Sequence, residues 1–299
     1  MIDYDARKWR RQILAFHGSV SPKILFRLAL LTLWAAGAVL AHHHITRIEV
    51  PPTGHALIGV ALGLLLVFRT NASYDRYWEG RKAWERITSD SRNLVRAARA
   101  LLGDERAFLQ PIVHWVIAFP YACMHRLRGD RSLGIAAARI PDHDIQAVLA
   151  EDHVPLAIAT RISRLVAEKR FQGGNFPERA VMAIDAHVRG LVDSIGVCER
   201  IQDTPIPFAY VVHLRRALML FLLTLPVALV NPFGWMTVLY TAIISYVLLG
   251  IDEIGVEIEN PFGTDPNDLP LEAICAEIER NLMSALNQSP HAKDAKGTG

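Results

Sequence analysis

The segment ALMLFLLTLPVALVNPFGWMTVLYTAIISYVLLGI, residues 217–251, is almost wholly apolar and decides the fold class. At about 1.5 Å of rise per residue it is too long for one crossing of a hydrocarbon core about 30 Å thick. Asn231-Pro232-Phe233-Gly234 stands in its middle, and Pro and Gly together mark a tight turn. Two antiparallel membrane helices are predicted, 217–230 and 235–251, with Pro226 kinking the first.

Toward the N-terminus, Ile24–Ala41 is apolar apart from Arg27, whose stem can reach the head groups, and is predicted to be the first membrane helix. A second apolar run covers Ala56–Phe68, extendable through Thr53 and Gly54. It is short for a span, and Gly54, Gly59, Ala61 and Gly63 suit close helix approach. Residues 69–210 are mixed and charged, with helical stretches such as Tyr77–Leu102. Within them Pro111–Cys123 is apolar but interrupted by His114 and Pro120, so a buried helix is expected there rather than a span. Residues 172–178 read as a turn, with Pro177 opening a new helix. After Ile251 the chain turns acidic, then helical over 271–286, and closes in a polar tail expected to be disordered.

The predicted architecture is all-α: an integral membrane protein with four membrane helices and an inserted helical cytosolic domain. Its divisions are a cytosolic N-terminal segment 1–23, membrane helices within 24–68, the cytosolic domain 69–210 and membrane helices within 211–251. A cytosolic segment 252–287 and the tail 288–299 complete the chain. Lysines and arginines crowd residues 1–23, Arg69–Arg86 and His213–Arg216, whereas the links 42–55 and 231–234 carry only Arg47. By the positive-inside rule both termini are cytoplasmic.

Bulk composition narrows the function classes. Half the residues are apolar, at 51%, beside 21% charged, and the formal net charge is +2. That charge and the scattered basic residues give no reason to expect a nucleic-acid partner. Cys123, Cys198 and Cys275 lie far apart without a CxxC pair, which predicts reduced thiols and neither a disulfide framework nor a zinc site. The charged first twenty residues do not resemble a signal peptide. No GxSxG, P-loop or His-box pattern is present in a fitting context, so an enzyme is not expected. A non-conducting membrane scaffold is the other competing class. His42-His43-His44 is read as an external helix end, because adjacent histidines cannot all face one ion.

Three further segments occur in order: FRTNASYDRYWEGRKAW at 68–84, TPIPFAY at 204–210 and NPFGTDPND at 260–268. Together with the hydrophobic layout they resemble the bestrophin family, especially its bacterial branch, over nearly the whole chain. The resemblance implies a homopentamer with one central pore, passing small ions across a bacterial-type inner membrane. Its second helix would line an apolar neck, which explains a run too short to face lipid.

Val60, Leu64 and Phe68 lie at i, i+4 and i+8 on one helix face, where the resemblance places three hydrophobic neck rings. It places the cytosolic aperture at Arg179, where five arginines would favour anions; a surface arginine is the competing reading. Thr204–Tyr210, with Pro205, Pro207 and Phe208, corresponds to a gating loop. Glu257, Asp265 and Asp268 correspond to carboxylates that hold calcium in animal relatives, but Pro266 and Asn267 dilute the acidity. There the alternatives are a low-charge calcium site and a helix-capping turn, with no cofactor required. Within 68–84, Asp75 and Glu79 are spaced to pair with Arg76, Arg81 and Lys82 along the helix. Chloride or another anion is favoured as permeant ion; a monovalent-cation channel of the same fold is the alternative.

Overall fold

The computed structural model describes residues 7, 10, 13, 15–16, 18–45, 50–103, 105–171 and 178–287, with the side chains of 170 and 171 excepted. The turn expected across 172–178, the tail 288–299 and Arg47 fall wholly or mainly outside these residues. The described elements are helical: α1 Ser21–His44, α2 Pro52–Leu102, α3 Arg106–Leu127, a 3₁₀ turn Gly134–Arg139, α4 Asp142–Leu149 and α5 Val154–Phe171. They continue with α6 Glu178–Asp203, α7 Phe208–Phe233, α8 Met236–Glu257 and α9 Leu271–Asn287.

Two compact units share the chain: 1–78 with 204–268, and 79–203 with 269–299. Helix α2, 51 residues long, contributes to both. The sequence predicts a membrane helix ending at Phe68 and a separate helical stretch from Tyr77. The structure runs through because no proline interrupts the chain between Phe68 and Leu102.

In the first unit α1 packs along α8, and both pack against α7. Ile24, Leu31, Leu62, Leu66, Leu218 and Leu249 belong to the core where these helices meet the first part of α2. Between lipid-surrounded helices, close packing rather than water exclusion drives association. Gly59 serves it directly: a Cβ there would stand 3.2 Å from the Phe221 ring. The small residues predicted for close approach divide, since at Gly54 and Gly63 a Cβ would meet nothing within 4 Å.

The break expected across 231–234 is tighter than predicted. α7 continues through Asn231 and Pro232 and ends at Gly234, whose φ of +51° suits a residue without a Cβ. The Gly234 N–H donates to the Val230 carbonyl at 2.9 Å, and α8 begins two residues on.

The second unit is built around α3. Its residues Ile112–Met124 are buried except for His114, which is partly exposed, and it packs against α5, α9 and the 3₁₀ turn. Glu279 of α9 ties this core together, accepting from the Tyr121 hydroxyl at 2.9 Å and from Arg139 at 2.6 Å. Burial pushes the Cys198 thiol up to about 12 and raises that of Cys275 as well. Each unit of pKa rise lowers the thiolate fraction tenfold, and Cys123, Cys198 and Cys275 are all buried. Maleimide labelling of the native protein is therefore expected to run at least about a hundredfold slower than labelling of the denatured chain. Labelling at comparable rates would show that these cores open readily.

Candidate ion pathway

Within the first unit α2 presents two opposed faces. Leu62, Leu66, Arg69 and Ser73 follow one another at helical spacing and are all buried. Val60, Leu64 and Phe68 occupy another face and are 74%, 54% and 57% exposed in the isolated chain. The three predicted neck residues are thus brought onto one unshielded apolar stripe. Pro52, the first residue of α2, starts this helix without forfeiting an internal hydrogen bond.

The residue after Phe68 reverses the chemistry. Arg69 is only 1% exposed and donates to the carboxylate of Asp252 on α8, itself 2% exposed. The Arg215 Nε of α7 lies 3.8 Å from the same carboxylate. Two more acids of α8 reach α1: Glu253 meets Arg27 at 2.6 Å, and Glu257 lies 3.5 Å from Lys23 Nζ. The cytosolic side of the sequence-predicted spans ended at Ile251, whereas α8 continues to Glu257 and carries all three acids.

Around the acidic turn the structure separates the three predicted ligands. Glu257 and Asp268 are buried and Asp265 is exposed. The Lys23 ammonium lies 3.5 Å from both Glu257 Oε1 and Asp265 Oδ2. Asn267 Nδ2 donates to Glu257 Oε1 at 3.0 Å, while Asp268 Oδ2 accepts from the Asp265 N–H at 2.7 Å. A Cβ at Gly263 would come within 2.6 Å of that Asp268 oxygen, so this turn closes only around glycine. Among the described residues no three His, Cys, Asp or Glu side chains are grouped to hold a metal ion.

The loop before α7 is held by residues that the sequence reading had not singled out for this role. The Ile206 N–H donates to Glu259 Oε1 at 3.1 Å, and Arg76 donates to the carbonyls of Thr204 and Glu259. Pro205, Pro207 and Phe208 are exposed, Phe208 opens α7, and the Tyr210 hydroxyl donates to the Leu65 carbonyl of α2 at 3.0 Å. Arg76 therefore reaches across to the loop, a partner that charge spacing along its own helix does not predict. Glu79, in the second unit, pairs with Arg200. Arg179 is the second residue of α6 and is exposed. His43 stacks on Trp235, the ring centroids 6.3 Å apart.

The family model for bacterial and fungal bestrophin proteins matches residues 1–284. The chain belongs to this family. A voltage-dependent anion channel-forming protein of Nostoc is 35% identical over 96% of this bestrophin and 94% of its own length. A protein of the same description from Ralstonia nicotianae is 37% identical over 94% and 92%. A crystal structure of a bacterial bestrophin homologue from Klebsiella pneumoniae matches with a TM-score of 0.83 at 33% identity, covering 89% of this chain and all of that one. This bestrophin is accordingly a multi-pass membrane protein. Among the described residues five helices are long and apolar enough to cross a bilayer: α1, α2, α3, α7 and α8. α3 differs from the others in burying most of its apolar length inside the second unit.

Proposed function

We propose that this bestrophin assembles as a homopentamer around one central pore in the inner membrane and conducts small anions passively. The Val60–Leu64–Phe68 stripe carries the reading: an apolar helix face that its own chain leaves uncovered suits a ring of copies enclosing a constriction. The spans are α1, the first part of α2, α7 and α8, because α3 satisfies its apolar surface within its own unit. Lys23, Arg27, Arg69 and Arg215 mark one end of these spans, which supports cytoplasmic termini. Arg179, exposed at the start of α6, forms the anion-favouring aperture, and the 204–208 loop bears on gating. No divalent cation is required at the acidic turn, where Lys23 already brings positive charge to Glu257 and Asp265. The protein acts as a channel and catalyses no reaction. Anion channel-forming relatives at 35% and 37% identity favour the anion reading.

Purified protein in planar bilayers under a KCl gradient tests it. The reversal potential is expected to move toward the chloride equilibrium potential, and Arg179→Ala to reduce that displacement. A shift toward the potassium potential would establish the cation-selective alternative. A folded pentamer that passes no current would overturn the channel reading.

A further inference from the structure

Resting on that reading, we infer that the buried Arg69–Asp252 pair is a latch that sets the rotation of α2 and hence how far Val60, Leu64 and Phe68 project into the neck. Arg69 occupies the buried stripe of α2 after Leu62 and Leu66, and it directly follows Phe68 in sequence. Turning α2 about its axis to withdraw the neck side chains would carry Arg69 away from Asp252. The helix is rigid over this one-residue interval, so latch and neck move as one body.

The pair is a poor choice for stability alone. Desolvating two charges costs several kcal/mol per ion, and matched apolar residues often pack as well or better. What a buried ion pair supplies is discrimination between registers, because any other rotation leaves a charge buried without its partner. The surroundings fit a fixed anchor. α8 is held independently through Glu253 to Arg27 and Glu257 to Lys23 on α1, and Arg215 of α7 approaches Asp252 from another helix. α8, and Asp252 with it, is thus held from two other helices, α1 and α7, and α2 is the one whose position its charge selects. Both residues are positioning residues for conduction, since neither belongs to the exposed stripe.

Two readouts in reconstituted protein test the latch. In the size-matched apolar double variant Arg69→Met/Asp252→Leu, open probability is expected to change by at least about threefold while the reversal potential stays unchanged. Arg69→Lys keeps the charge but not the reach or planar fork of the guanidinium, so it is expected to change open probability in the same direction by a smaller factor. Independently of current, Val60→Cys gains a thiol that a polar thiosulfonate reagent can modify. Its modification rate is expected to differ by at least about threefold with and without the latch.

Should the apolar pair fail to assemble, Asp252→Glu displaces Arg69 by one methylene while preserving charge, and the same change in rate is expected. Assembled variants with wild-type open probability and wild-type Val60→Cys reactivity would overturn the latch. A wild-type protein that carries no current, yet whose Val60→Cys reactivity depends on the pair, would overturn the channel reading and leave the latch standing.

Discussion

Replacing Val60, Leu64 and Phe68 together by alanine is expected to raise single-channel conductance by about tenfold, which corresponds to about 1.4 kcal/mol off the permeation barrier. An ion crossing a narrow apolar ring must shed water without gaining polar partners, and a ring wide enough to stay wet removes much of that cost. Each substitution shortens a side chain that the chain leaves more than half exposed, so little folding energy is lost. The contrast lies on the other face of the same helix. Leu62→Ala and Leu66→Ala remove fully buried side chains and are expected to lower stability by about 2–5 kcal/mol each. Bilayer recordings and thermal denaturation in detergent separate the two faces. Unchanged conductance in an assembled triple variant would remove these residues from the pathway.

That two-faced helix was legible in the sequence because helical periodicity is local. Val60, Leu64 and Phe68 fall on one side whatever surrounds them. The 217–251 segment was legible for the same reason, although its turn is confined to Gly234 and Trp235 rather than spread across Asn231–Gly234. Proline suggests an earlier break, but α7 carries Pro232 in its last turn and ends only at Gly234. The continuity of α2 was also readable, since the missing signal was a breaker that the sequence does not contain.

What could not be read was the partner of each charge. Arg69 reads as one more cation of the basic stretch Arg69–Arg86, and Asp252 as the start of an acidic segment. They meet across 183 positions, a pairing that no local pattern encodes. Lys23 between Glu257 and Asp265, and Arg76 on the carbonyls of Thr204 and Glu259, are non-local in the same way. Charge spacing along α2 predicted partners on the same helix because those alone are visible without the fold. The family resemblance singles out Glu257, Asp265 and Asp268; in the folded turn Asp268 accepts from a backbone N–H and Asp265 is exposed.

Two glycines six residues apart on α6 are expected to respond to alanine with opposite signs. At Gly190 a Cβ would stand 2.3 Å from Asp90 Oδ2 and 2.8 Å from its Cγ, far inside contact distance. Asp90 is a short side chain already engaged with His187 Nδ1 at 3.0 Å, so it can yield only by giving up that interaction. Overpacking costs about 1–3 kcal/mol and the lost hydrogen bond about 1 more, against a gain of about 1 kcal/mol for replacing a mid-helix glycine. Gly190→Ala is therefore expected to destabilise by about 2 kcal/mol. At Gly196 a Cβ would meet nothing within 4 Å, and the helix-propensity gain acts alone. Gly196→Ala is accordingly expected to stabilise by up to about 1 kcal/mol. The midpoints of thermal unfolding of the two variants should lie on either side of wild type. If Gly190→Ala matched or exceeded Gly196→Ala, Asp90 would not be seated against α6 as described. Helix propensity alone would then account for both positions.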